Sequence, residues 1–202
     1  MSNKIESICI FCGSSSGSNP VYTEKAIALG KLFIEKSITL VYGGSNVGLM
    51  RVIADTMLEA GGKVIGVMPH NLINREVAHK GLSEFHVVET MAERKAVMDK
   101  LSDAFISMPG GVGTLDELFE MMSWNQLEII SKPVALYNVL GYYDQLLAFL
   151  DHSVDQRFVK PEHRINMISE SNENVLLDKI LNYEPVKVDG GKWIKELHEN
   201  KF

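Results

Sequence analysis

Seven short, nearly unbroken apolar runs, separated by longer patterned segments, constrain this chain more than any other feature. They are SICIFC (7–12), TLVYGG (39–44), KVIGVMP (63–69), EFHVVE (84–89), DAFISMP (103–109), PVALYNV (133–139) and NMIS (166–169). Continuous apolar runs of this length are what parallel strands become when both faces of their sheet are covered. Between them the spacing predicts helices over 20–36, 46–60, 91–102, 114–130, 141–157 and 172–182. In the segment 114–130, Leu115, Leu118, Phe119 and Met122 fall on the i, i+3, i+4, i+7 stripe of a buried helical face. Strand and helix alternating in this way predict an α/β fold, a doubly wound parallel sheet. With 202 residues and no linker, repeat or low-complexity tract, a single domain over 1–185 accounts for the chain. The segment 186–202, with Trp193, Ile194 and Leu197, reads as a C-terminal helical tail that packs on the body or on a partner.

Three loops share a glycine-rich signature: CGSSSG (12–17), YGGSNVG (42–48) and PGGVGT (109–114). Each follows a predicted strand and enters a predicted helix. In open α/β sheets, ligands bind beyond the carboxyl ends of the strands, where helix N-termini present free N–H groups. One such loop is weak evidence, because glycine is common in these turns. Three in one chain point to a shared cleft for a phosphate- or nucleotide-type ligand, with Gly43, Gly44 and Gly110 among its walls. The spacing G-x-G-x-x-G is absent, and so is G-x-x-x-x-G-K-[ST], which disfavours a dinucleotide and a nucleoside triphosphate site and leaves a smaller phosphate ester.

Composition narrows the function classes. A net charge of −6 with no basic run argues against a nucleic-acid-binding surface, and no apolar run reaches the roughly 18–20 residues that span a bilayer. The amino-terminal stretch lacks the pattern of a signal peptide, so the expected location is cytoplasmic. Cys9 and Cys12 form a C-x-x-C, but Cys9 lies inside a strand-like run rather than at a helix N-terminus, so buried thiols are expected instead of a redox pair. His70, His79, His86, His152, His163 and His198 are scattered without ligand spacing, and no metal is expected.

The segment that carries chemistry is MPGGVGTLDELFEMM (108–122). Thr114 and Glu117 fit a capping box, in which Glu117 folds back on the first helical amide. That reading explains the threonine and the glutamate but not the three glycines before them. In the preceding helix Arg94 shares a face with Val97, Met98 and Leu101, away from the solvated Glu93 and Lys100. Its two readings are an arginine that snorkels or pairs internally and one that meets Glu117 across the sheet end. A guanidinium beside a carboxyl favours the ionised form. So placed, Glu117 is suited to stabilising a developing cation or orienting a water, and is a poor proton donor. Cleavage of a ribosyl bond passes through an oxocarbenium-like state that uses such an anion.

MAERK (91–95) followed by PGGVGTLDE (109–117) resembles the M-x-x-R-K and P-G-G-x-G-T-x-x-E signatures of the Lonely guy (LOG) family of cytokinin riboside 5′-monophosphate phosphoribohydrolases. The likeness extends to CGSSSG, YGGSNVGLM, LINREVAHKGLSE, the W-x-Q-L stretch and NVLGYYD. It implies a Rossmann-like homodimer that hydrolyses the N-glycosidic bond of a nucleoside 5′-monophosphate, with neither metal nor cofactor. By position it implies Arg94 and Glu117 as the catalytic pair and Gly111, Val112, Gly113 and Thr114 as the phosphate-holding loop. Gly110, Leu115 and Asp116 belong to the same stretch. Glu76, Lys95 and Ser123 match further nucleotide contacts, and Ser14 or Ser15 first-loop contacts. YGGSNVGLMR departs from the family's G-G-G-x-x-G-L-M-G at Ser45 and Arg51, which bears on that loop's backbone angles.

Two other classes compete. An older family label, lysine decarboxylase, implies pyridoxal phosphate on a lysine. The candidate, Lys95, sits one residue past Arg94 and so projects about 100° from that face of the helix. A non-enzymatic nucleotide or molybdenum-cofactor carrier on the same fold would keep the glycine loops and have no need of Arg94 paired with Glu117.

Overall fold

The computed structural model describes residues 4–73 and 77–187. Strands β1 (Ser7–Phe11), β2 (Thr39–Tyr42), β3 (Val64–Pro69), β4 (Glu84–Val88), β5 (Ala104–Ser107), β6 (Val134–Tyr137) and β7 (Met167–Glu170) form one sheet in the order β4-β3-β2-β1-β5-β6-β7. All six pairings are parallel. Helices α1 (Val21–Glu35), α2 (Gly48–Glu59), α3 (Met91–Lys100), α4 (Val112–Gln126), α5 (Asp144–Asp155), α6 (Pro161–Ile165) and α7 (Glu173–Leu181) cover it. The strand order steps outward from β1 to β4, then returns to place β5 against the other edge of β1. That reversal opens a crevice between β1 and β5, the position where doubly wound sheets hold ligands.

The period of two along each strand builds two cores. Ile8, Ile10, Leu40, Tyr42 and Ile106 pack with α1, α2 and α7, whereas Cys9, Phe11, Val41, Val67 and Phe105 pack with α3, α4 and α5. Phe11 and Phe105 stack across the β1–β5 pair with centroids 5.8 Å apart. The start of that pair is tied by Asp103, whose Oδ2 accepts from the amides of Glu6 and Ser7 and from the Ser7 hydroxyl at 2.9–3.0 Å. Cys9 and Cys12 are free and buried, one in each core. Burial pushes both thiols well above their ordinary range, as expected of inert core cysteines.

Three sequence expectations shift. Helix α4 begins at Val112 with Gly111 as its N-cap, two residues before the expected start, and it ends at Gln126 because Glu128 takes a left-handed turn (φ 57°). A glycine in the first turn sits where amides are unbonded anyway, so Gly113 does not delay the helix. The buried row of α4 is consequently Thr114, Leu118 and Met121, while Phe119 is 38% exposed. Helix α5 starts at Asp144 rather than 141, after a turn containing Leu140 and Gly141 at φ 54° and 69°. Among the described residues no helix is long and apolar enough to cross a membrane. The expected tail lies, from residue 188 on, outside the described residues, and with it Trp193, Ile194 and Leu197.

Candidate active site

The crevice at the switch point is built by backbone. The loop after β1 and the loop after β5 are joined through Gly13 N–H to the Pro109 carbonyl (3.1 Å) and Met108 N–H to the Phe11 carbonyl (2.8 Å). The N-terminus of α2 closes in from the side, with Leu49 N–H donating to the Gly13 carbonyl at 3.1 Å. Gly48 makes that approach: its φ is +55°, and a Cβ there would strike the backbone of Ser14 and Ser15. The result is a cleft of about 290 Å³ lined by Gly13, Ser14, Ser15, Gly110, Gly111 and two tyrosines, Tyr22 and Tyr142, among others. The first internal bond of α4 runs from Leu115 N–H to the Gly111 carbonyl at 3.1 Å. The amides of Val112, Gly113 and Thr114 therefore precede the helical ladder, where an anion finds both donors and the positive end of the helix dipole. Gly110 cannot be larger, since a Cβ would collide with the inward-turned Thr114 side chain.

Arg94 is placed by a capping box the sequence reading overlooked. Thr90 Oγ1 accepts from Glu93 N–H at 3.0 Å, and the Glu93 carboxylate accepts from Glu89 N–H at 2.8 Å. This T-x-x-E (90–93) starts α3 as a variant of the box, its glutamate reaching the amide one residue before the N-cap, and sets the helix's inward face. Arg94 is 6% exposed. Its Nε donates to the Val67 carbonyl within β3 at 3.0 Å and its Nη2 to the carbonyl of Gly43, just past the end of β2, at 3.2 Å. Those bonds leave Nη1 directed at Met91 Sδ and at Glu117 Oε1, each 3.9 Å away. The Glu117 side chain is 12% exposed. Because Gly111 is the N-cap, Glu117 is the sixth residue of α4 and takes no part in capping it. The capping-box reading of Thr114 and Glu117 is thereby overturned.

Gly43 and Gly44 act at one remove. Gly43 makes room for the Arg94 guanidinium, onto which a Cβ would fall, and Gly44 takes φ +75° while its carbonyl accepts from His79 N–H at 2.9 Å. The departures from the family loop are accommodated: Ser45 is fully buried without a left-handed backbone, and Arg51 is exposed on α2, 3.6 Å from Asp55. Lys95 projects between α3 and α4, 3.2 Å from Asp116 and 2.5 Å from Glu120. Burial alone would lower its pKa, but hydrogen bonds and attraction from Glu120 and Asp116 outweigh this and hold the ammonium above its ordinary value. A lysine so held is not the neutral amine that a Schiff base needs. Leu115 is half-buried and Asp116 exposed. Ser123 lies further along α4 and lines a separate groove of about 580 Å³ with Phe119, Met122 and Leu150. Glu76 lies outside the described residues.

Tyr142, quoted above only as part of NVLGYYD, lines the cleft, and the buried Tyr143 beside it donates to the Met108 carbonyl. Their signal was available: the loop after β6 leaves the strand beside β5 and carries two aromatic residues towards the same sheet edge.

Residues 50–180 match a family model described as "Possible lysine decarboxylase". Cytokinin riboside 5′-monophosphate phosphoribohydrolase LOG7 of Arabidopsis thaliana is 45% identical over 183 residues, 91% of this chain and 84% of that protein. The probable phosphoribohydrolase LOGL9 of Oryza sativa subsp. japonica is also 45% identical, over 91% of this chain and 81% of its own length. Among solved structures, the molybdenum cofactor binding protein of Rippkaea orientalis superposes with a TM-score of 0.66, covering 89% of this chain and 97% of that one at 23% identity. That likeness speaks to the Rossmann-like fold alone. The relatives' similarity runs through both signatures and nearly the whole chain, and on that ground the chain belongs to the Lonely guy (LOG) family.

Proposed function

We propose that this protein is an N-glycosyl hydrolase of the phosphoribohydrolase type. Its substrate is a purine nucleoside 5′-monophosphate, either adenosine or cytokinin-type, and its products are the free base and ribose 5-phosphate. The observation that carries the reading is Glu117, held 3.9 Å from the buried Arg94, one helical turn beyond the unbonded amides of α4. A phosphate on Gly111, Val112, Gly113 and Thr114 sets the ribose over that first turn, with C1′ towards Glu117. As the C1′–N9 bond breaks, its electron pair leaves with the purine, which takes up a proton. The carboxylate stabilises the cationic sugar and orients the water that adds to C1′. Arg94 stands beside the carboxylate and balances its charge. Ser14 or Ser15 border the phosphate, Gly43 and Gly44 shape the Arg94 side, and Gly110, Leu115 and Asp116 frame the loop. Lys95 and Glu76 complete the nucleotide contacts, and Ser123 joins them only if the nucleotide extends from the cleft to the groove beside α4.

A carrier on the same fold would keep the glycine loops, but the buried Arg94–Glu117 pair would serve no purpose there. The catalytic unit is residues 1–185, and the protein is cytoplasmic and homodimeric. The exposure of Phe119, Leu127, Ile129, Phe149 and Phe158 around α4 and α5 supports the dimer. Incubation with AMP and with isopentenyl-adenosine monophosphate, followed by chromatography for free base, tests the activity. Glu117→Gln and Arg94→Ala abolish release while nucleotide still binds; full turnover by Glu117→Gln overturns the assignment.

A further inference from the structure

We infer that Tyr142 is a positioning residue for the phosphate loop, acting through the carbonyl of Gly110; the inference rests on the phosphate site described above. The turn after β6 is built to deliver it. Asn138 Oδ1 accepts from Tyr143 N–H and its Nδ2 donates to Asp144 Oδ1, both at 2.7 Å. Leu140 and Gly141, both left-handed, fold the chain sharply enough to aim two consecutive tyrosines at the β5 loop. Tyr143, 1% exposed, donates its hydroxyl to the Met108 carbonyl at 2.6 Å. Tyr142, 44% exposed on the cleft wall, donates to the Gly110 carbonyl, also at 2.6 Å. Its ring stands edge-on to Tyr143 at 5.0 Å and to Tyr22 at 6.0 Å.

One dipeptide thus grips the loop at two alternate carbonyls. The buried Tyr143 secures the end of the strand. Tyr142 secures a Gly-Gly peptide, the link in the loop with most freedom to rotate. Because that peptide is planar and trans, fixing the Gly110 carbonyl also fixes the direction of the Gly111 N–H on its opposite side. With its proton engaged by Gly110, the hydroxyl contributes by holding donors in place rather than by touching the reacting centre. Preorganised donors bind an anion without first being ordered by it.

The test compares wild type, Tyr142→Phe and Tyr142→Leu by calorimetric titration with ribose 5-phosphate and with adenosine, alongside AMP hydrolysis and thermal unfolding. Removing the hydroxyl alone weakens ribose 5-phosphate binding and raises KM for AMP by about tenfold, the equivalent of one hydrogen bond. In Tyr142→Phe, kcat stays within about twofold, the split expected when binding is lost equally in ground and transition states. Adenosine affinity and the thermal midpoint do not move in that variant, whereas Tyr142→Leu also loses the Tyr22 contact and some stability. Unchanged ribose 5-phosphate affinity in Tyr142→Phe overturns the role, as does equal weakening of both ligands with a lowered midpoint, which marks a structural tyrosine only. Wild-type protein that binds no ribose 5-phosphate overturns it too. Wild type that binds ribose 5-phosphate but releases no base sinks the hydrolase reading, while the Tyr142 comparison still stands on affinity.

Discussion

Two glutamates of this protein sit near the start of helices, are similarly buried and face a cation, yet they are held very differently. Glu173, at the head of α7, is 16% exposed; its Oε2 accepts from the Tyr137 hydroxyl at 2.6 Å and pairs with Lys25 at 2.9 Å. Glu117, in α4, is 12% exposed, and its oxygen stands 3.9 Å from Arg94. The first distances are those of charge-assisted hydrogen bonds, whereas the last lies beyond hydrogen-bond range. A carboxylate closed by strong bonds ties elements together: here α1, β6 and α7. At Glu117 the cation stands off instead, outside hydrogen-bond range. The same residue type is a rivet on one side of the sheet and, on the function proposed above, a reagent on the other.

The crossed substitutions break that comparison most directly. Glu117→Gln abolishes base release, a loss of at least about 10²–10⁴-fold as for a positioned catalytic carboxyl, and does not lower the thermal midpoint. Glu173→Gln leaves turnover in place and lowers stability. If Glu117→Gln instead lowers the thermal midpoint and keeps full specific activity, the two glutamates have been assigned the wrong way round.

A smaller effect is expected at Gly43, whose role is only to leave space. It lacks the positive φ of Gly44 and Gly48, so Gly43→Ala carries no backbone strain; its methyl simply displaces the Arg94 guanidinium from the Gly43 carbonyl. We expect a loss in kcat/KM of roughly tenfold to a hundredfold, the cost of misplacing a group by about 1 Å. Unaltered kinetics would mean that the exact seat of Arg94 does not matter.

Much of the frame was legible because its signals are local. Glycine and proline punctuate the strands, and apolar continuity marks a sheet covered on both faces, so all seven strands appear close to their expected places. What resisted reading depends on partners distant in sequence. The start of α4 was set too late because Gly111 and Gly113 were weighed as loop residues, whereas one is the cap and the other lies in the unbonded first turn. That error made Glu117 look like a capping residue, while the true box at Thr90 and Glu93 passed unnoticed in a sequence with less conspicuous glycine. The pairing of Arg94 with Glu117 could be placed no further than a geometric option, since it requires the register of two helices flanking β5. Tyr142 stood inside the quoted NVLGYYD with no role attached, and only the proximity of the β6 loop to the β5 loop gives it one.

The finest discrimination between the two glutamates comes from acid. Burial pushes Glu173 towards higher pKa, but the hydrogen bonds from Tyr137 and Lys25 and the attraction of the ammonium prevail, leaving it below its ordinary value. A carboxyl depressed in the folded state adds stability that is present above its unfolded pKa, about 4.3, and is lost as the pH falls through the lower folded value. Glu173→Gln has no such group to titrate. Its deficit against wild type, about 1 kcal/mol at neutral pH, should therefore shrink below about pH 4 as the wild-type carboxyl takes up its proton. Denaturant melts of both proteins at pH 7 and pH 3.5 measure the difference. A gap that widens on acidification would mean that Glu173 is better held as the neutral acid, and the contrast with Glu117 would lose its basis in charge.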